Sequence, residues 1–184
     1  MTLNDIVKKY DQTLDAIRYC VDREYSEALW TLLYSAIDSL SWLYSDETDL
    51  EKRNSKEDYI QWVNTFLIPI LEGYDCTAME LYLARCSTIH TYSAVAKKQR
   101  DNRIVTYAYS KEQLEQVKRK LPIIEELSDS KFVILLIDDL VKAWYVATIV
   151  FIKQIEKDSE LLERVIKKAD YYYSPLDKSF LDEG

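Results

Sequence analysis

Ala84-Arg85-Cys86-Ser87-Thr88-Ile89-His90-Thr91-Tyr92 is the stretch around which the rest of the sequence organises. It holds the single histidine of the chain, five residues after an arginine and two before a tyrosine. Just upstream, Thr77-Ala78-Met79-Glu80 has the spacing of a capping box, in which hydroxyl and carboxylate each satisfy one unpaired amide at a helix start. A fourth helix is therefore expected to begin there, to continue through Leu81, Leu83, Ala84, Ile89 and Ala94, and to fray at Lys97-Lys98-Gln99-Arg100. No other segment combines side chains in a way that suggests chemistry.

Toward the N-terminus, Leu3, Ile6, Val7, Tyr10, Leu14, Ile17 and Val21 recur at three- and four-residue steps and predict a first helix, with Thr2 and Asp5 as its cap. A charged break at Asp22-Arg23-Glu24 precedes a second periodic run from Leu29 to Leu43, and the two predict an antiparallel helical pair. Asp38 falls inside that second apolar run, where an unpaired carboxylate is costly to bury. Either it turns outward or bonds nearby backbone, or it orients Arg85 or His90. Residues 46–56 are polar and charged and predict a loop. A third helix is expected from about Ser55, disturbed at Pro69 and stopped near Gly73.

Toward the C-terminus, residues 104–109 alternate and are rich in β-branched and aromatic side chains, which predicts a short strand. Residues 131–137 are similar, and the two can pair as a small two-stranded β ribbon beside the bundle. A helix over 110–121 is expected between them, ended or bent by Pro122. Residues 138–157 predict a long apolar helix, central or at a subunit interface because Trp144, Val146, Ile149, Val150, Phe151 and Ile155 cover so much of it. A shorter charged helix follows from Ser159, and the tail Tyr171-Tyr172-Tyr173-Ser174-Pro175 is expected to end regular structure, its tyrosines latching the tail onto the bundle, with base stacking as the alternative.

Composition agrees with this pattern. Two glycines and three prolines, with 48% apolar and 30% charged residues, describe few tight turns and long regular elements. The expected fold class is mainly α, an antiparallel helical bundle forming a single domain over residues 1–184. A net charge of -8 argues against a general nucleic-acid or anionic-membrane binder, so any nucleic acid must be held at a local site. Cys20, Cys76 and Cys86 are odd in number and widely spaced, which suits reduced thiols in a cytoplasmic protein. The opening residues lack a basic region and an apolar core, so no signal peptide is expected. The apolar run 132–152 is interrupted by Asp138, Asp139 and Lys142 and does not read as a membrane span. Cys76, Cys86 and His90 lack the close cysteine pair of a structural zinc site, so no metal and no cofactor are expected.

On a helix of about 100° per residue, Arg85 and Tyr92 share nearly one line, while Arg85 and His90 stand roughly 140° apart. One helix cannot aim both at one atom. Two such helices about a twofold axis bring two arginines and two histidines around one cleft, and twofold dimers are the commonest assembly. Histidine exchanges a proton near neutral pH, and the arginine fork matches phosphate oxygens. Together they suit metal-independent cleavage of RNA, in which the 2′-hydroxyl attacks the adjacent phosphate.

Arg85-x4-His90 resembles the Arg-x4-6-His motif of the HEPN superfamily: compact, commonly dimeric helical bundles, many of them RNases of toxin-antitoxin, phage-defence and CRISPR systems. With Tyr92 it is similar to the motif of HEPN toxins paired with a nucleotidyltransferase antitoxin, whose tyrosine accepts nucleotidyl groups. The likeness covers about ten residues. It implies a HEPN-like bundle, a homodimer, an RNA substrate, an antitoxin or nucleotidyltransferase partner, and a site of Arg85, His90 and Tyr92. Lys97, Lys98, Arg100 and Arg103 follow directly and either hold an RNA backbone or serve as cations at a helix C-terminus. The chain departs from the family at Cys86, where HEPN RNases usually carry Asn, Asp or His; a thiol is a weak hydrogen-bond partner. That departure keeps open a non-catalytic HEPN-like module that binds a nucleotide or protein, and a scaffold that forms oligomers through its long aromatic helix.

Overall fold

The computed structural model describes residues 1–49, 52–91, 103–128 and 131–173. The chain is mainly helical with a small two-stranded parallel sheet, in the order α1 (Leu3–Asp22), α2 (Ser26–Tyr44), α3 (Ser55–Trp62), α4 (Ala78–Thr91), β1 (Arg103–Ala108), α5 (Lys111–Ser128), β2 (Lys131–Leu136), α6 (Ile137–Lys157) and α7 (Ser159–Tyr173).

The first two helices follow their apolar spacing and their local chemistry. Thr2 and Asp5 form the capping box of α1, and Ile6, Tyr10, Leu14, Ile17 and Cys20 line its buried face. Its end is a Schellman turn: the Tyr25 amide donates to the Cys20 carbonyl at 2.9 Å and the Glu24 amide to that of Val21 at 3.1 Å, with Glu24 at φ 56°. The chain therefore reverses within three residues, and Tyr10 near the start of α1 meets Ser39 near the end of α2 at 3.0 Å. The pair is antiparallel, as its spacing predicts.

α2 is the most enclosed element. Leu29, Trp30, Leu33, Tyr34, Ala36, Ile37, Leu40, Ser41, Trp42 and Leu43 are all buried, and α1, α3, α4, α6 and α7 pack around it. α6 buries one stripe, including Trp144, Ala147, Phe151 and Ile155, but leaves Val146 at 43% and Val150 at 46% exposure. Central burial thus belongs to α2, and the apolar residues of α6 divide between two opposite sides. After α3 the backbone widens into a π turn over Val63–Leu67, where the Ile68 amide reaches back to the Val63 carbonyl at 2.9 Å.

The strands pair as expected, but their connection dictates the direction. β1 and β2 are parallel in the register Arg103↔Lys131 to Ala108↔Leu136, with α5 as the crossover. A parallel crossover needs a dozen or more residues, and α5 supplies them by running through Pro122 to Ser128 instead of ending there. Pro122 is exposed, and without an N–H it leaves one carbonyl of the preceding turn without a helical partner. Both faces of the sheet are covered. Val105, Val133 and Leu135 join the main core, and Ala108 and Leu136 pack with Leu114 of α5. Tyr107 pins β1 to α2: its ring stacks on Trp30 at 3.9 Å and its hydroxyl bonds that of Tyr34.

α7 ends at Tyr173, within the tail expected to end regular structure, and Tyr171 is 74% exposed, so this tyrosine does not latch it to the bundle. Two cations of α7 reach the end of α2. The Lys168 ammonium donates to the Trp42 carbonyl at 2.8 Å and to that of Ser45, and sits 4.2 Å from the centre of the Trp42 ring. Arg164 bonds the Tyr44 carbonyl at 3.4 Å and the Asp46 carboxylate at 3.0 Å. These are the carbonyls a helix leaves without partners, at the end where its dipole favours positive charge. Lys168→Met keeps most of the aliphatic stem but removes the donor, and is expected to cost roughly 1–3 kcal/mol. A urea midpoint equal to that of the wild type would show that the ammonium does not hold this helix end.

Candidate functional site

The site is assembled from α4 and α2. Thr77 and Glu80 cap α4 as their spacing predicts: the Thr77 amide donates to Glu80 Oε2 at 2.7 Å and the Glu80 amide to Thr77 Oγ1 at 3.2 Å. Ala78, Leu81 and Ala84 anchor the helix in the core, with Ser87 and Thr88 also buried. Arg85, one residue beyond Ala84, points along the flank of α2.

There it meets Asp38. Arg85 Nε donates to Asp38 Oδ2 at 3.0 Å, and a terminal nitrogen of the guanidinium donates to the same oxygen. Each side chain is 17% exposed. Asp38 therefore neither turns outward nor settles on nearby backbone; it holds Arg85. Burial alone lowers the pKa of the guanidinium, but its hydrogen bond to Asp38 and the carboxylate charge outweigh that, and the net shift is upward. Arginine carries five N–H groups. Two are given to Asp38 and a third points at Cys86 Sγ, 3.9 Å away, so two remain without a partner among the described residues.

The surroundings are phenolic. Tyr59 and Tyr82 meet edge to face at 5.5 Å, and Tyr82 bonds the Cys86 thiol. Burial, then that bond, raises the Tyr82 pKa. Asp38 Oδ1 and the Tyr59 hydroxyl are both buried without a hydrogen-bond partner among the described residues. From outside, Arg53 donates to the Asp38 backbone carbonyl at 3.2 Å and pairs with Asp58 at 3.4 Å. Sequence spacing gave no sign of Arg53, Tyr59 or Tyr82, since each reaches the site across a loop or between helices.

His90 lies on α4 with Arg85, which puts both motif residues on one capped helix. The imidazole of His90 and the side chain of Arg103 lie outside the described residues, as do Tyr92, Lys97, Lys98 and Arg100; the backbone of Arg103 opens β1. The expected continuation of α4 to Ala94 lies outside them too. Among the described residues, no cluster of histidine, cysteine, aspartate or glutamate suits a metal ion. No described helix is long and apolar enough to cross a membrane. Two grooves, one between α1 and α2 and one between α1 and α6, are lined by other residues and not by Arg85.

No family model, curated protein or solved structure matches this chain.

Two predictions arise from these contacts. Asp38→Ala leaves a half-buried guanidinium without its carboxylate and is expected to cost roughly 2–4 kcal/mol; an unchanged denaturation midpoint would show the pair to be energetically idle. The second concerns pH. Burial foremost lifts the phenols of Tyr34, Tyr59 and Tyr107 above the ordinary value of 10.0. The unfolded chain releases those protons above that pH while the folded chain keeps them, so their stabilisation is full below pH 10 and falls as pH rises. Tyr59→Phe makes that fall shallower in urea titrations and, because the hydroxyl is unpartnered, leaves neutral-pH stability equal or higher by about 1 kcal/mol. A loss at neutral pH would mean that the hydroxyl is bonded.

Proposed function

We propose that this chain is a HEPN-like, metal-independent endoribonuclease of toxin-antitoxin or phage-defence type. The observation that carries this reading is that Arg85 and His90 share one capped helix while Asp38 holds the guanidinium by one edge. The edges that the carboxylate does not occupy still carry N–H donors for a phosphate oxygen.

In the proposed reaction the 2′-oxygen attacks the adjacent phosphorus, the bond to the 5′-oxygen breaks, and a 2′,3′-cyclic phosphate and a 5′-hydroxyl result. A base takes the 2′-hydroxyl proton and an acid returns one to the departing 5′-oxygen. Two copies of the chain about a twofold axis supply two His90 side chains for these roles and two Arg85 side chains to offset charge on the phosphorus. Tyr92 and the residues between shape the cleft, and Lys97, Lys98, Arg100 and Arg103 guide the RNA backbone.

Cys86 and the neutralising partner of Arg85 favour a second reading. In it the same face is a non-catalytic HEPN-like module for a nucleotide, or for a protein such as an antitoxin or nucleotidyltransferase. Incubation with mixed RNA in the presence of a chelator separates the two. Under the RNase reading, 5′-hydroxyl and cyclic-phosphate ends accumulate. His90→Ala then loses about 10²–10⁴-fold in rate while its helical circular dichroism is unchanged. Equal turnover by that variant excludes His90 from proton transfer. Intact RNA, together with a melting temperature raised by a nucleotide or partner, selects the binding module.

A further inference from the structure

One face of α5 packs at home and the opposite one does not. Leu114 is buried against Ala108 and Leu136, and Glu125, on the same side, accepts the Phe132 amide at 2.8 Å. At about 100° per residue, Arg119, Lys120, Glu126 and Leu127 all fall within about 60° of the line through Ile123, on the far side of the helix. All five are exposed, Ile123 to 62% and Leu127 to 83%. Two large apolar side chains standing in solvent, one helical turn apart and turned away from the sheet, contribute nothing to the folding of this chain.

The charges around them identify an occupant. Lys118-Arg119-Lys120 precedes Ile123 and Glu125-Glu126 follows it, so the helix is basic before its apolar centre and acidic after it. Such a sequence complements itself when reversed. We propose that the outer face of α5 is an interface with a second copy of this chain, the two helices lying antiparallel across a twofold axis at Ile123. In that register Ile123 meets its own equivalent. Arg119, to one side of the line through Ile123, comes beside the partner's Glu126 on the same side, and symmetry makes this contact twice. On the other side Lys120 comes beside the partner's Leu127, which its aliphatic stem can cover. An anionic membrane is the poorer occupant, because Glu125 and Glu126 stand beside the apolar pair and the chain carries a net charge of -8. The patch is small, so the association belongs in the weak range of protein interfaces. It does not rest on RNA cleavage or on any pairing of α4 helices.

Sedimentation velocity over concentrations from micromolar to hundreds of micromolar tests it. The wild type is expected to show a reversible monomer–dimer equilibrium. Arg119→Glu alone or Glu126→Arg alone sets like charges against each other twice and raises the dissociation constant at least about tenfold, or about 1.4 kcal/mol. The combined swap, Arg119→Glu with Glu126→Arg, restores the dimer. Ile123→Asp with Leu127→Asp abolishes it while circular dichroism stays unchanged, since neither side chain is in the core. A wild type that remains monomeric throughout overturns the proposal, also where this face binds vesicles or another protein instead. So does a charge swap that fails to restore association. A dimer undiminished in the Ile123→Asp/Leu127→Asp variant is held elsewhere; that result removes this interface and leaves the pairing of α4 helices standing.

Discussion

A carboxylate on the most enclosed helix of the bundle is costly to bury without a cation beside it, and the meeting of α2 with α4 answers that requirement. Asp38 is surrounded by buried positions of α2, at 17% side-chain exposure, and the guanidinium that meets it comes from 47 residues further along. Once Arg85 is bound to Asp38, the rotation of α4 about its own axis is set. The backbone position of His90 is set with it, since the two residues are separated by a fixed rotation along one helix. Packing at Leu81 and Ala84 alone would tolerate small rotations. A charge pair closed at 3.0 Å tolerates far less.

The same helix draws cations to its C-terminal end. Lys168 and Arg164 donate to the last carbonyls of α2, and Arg53 donates to the Asp38 carbonyl one turn earlier while its guanidinium lies 5.3 Å from the Trp42 ring centre. For Lys168, burial pulls the pKa down to about 8. The two carbonyls and the ring face hold the ammonium against that pull. α2 is thus placed by hydrophobic burial along its length and by cations near its end, and α7 and the loop before α3 are fastened to it through polar bonds. Buried polar contacts of this kind specify one arrangement among several that apolar packing alone would accept.

What could be read in the sequence follows from how local each signal is. Thr2 with Asp5, and Thr77 with Glu80, announce helix starts because a cap is made within four residues. The apolar spacing of α1 and α2 announces their buried faces for the same reason. The β ribbon was legible in its composition, but its parallel pairing was not, because the composition of two strands does not say in which direction they run. The apolar residues of α6 suggested a helix either central or at a subunit interface, and Val146 and Val150 face outward; composition does not say which side of a helix a neighbour covers. In the site, Asp38 as the carboxylate for Arg85 was legible from its misplaced charge. Arg53, Tyr59 and Tyr82 were not, for no periodicity links residues that meet across separate helices.

The Asp38 contact also limits how function can be inferred from substitutions. A guanidinium paired with a carboxylate is close to neutral as a unit, so it attracts a distant phosphate weakly and offers instead fixed N–H directions at short range. In the proposed cleavage, Arg85 therefore contributes orientation more than long-range attraction, which is consistent with a chain of net charge -8. The same residue also closes the seam between α2 and α4, so its removal damages the fold and the site together. Loss of activity on changing Arg85 or Asp38 carries little information about mechanism. His90 is not a member of that ion pair, so in the proposed cleavage its substitution leaves the seam between α2 and α4 closed by Asp38 and Arg85.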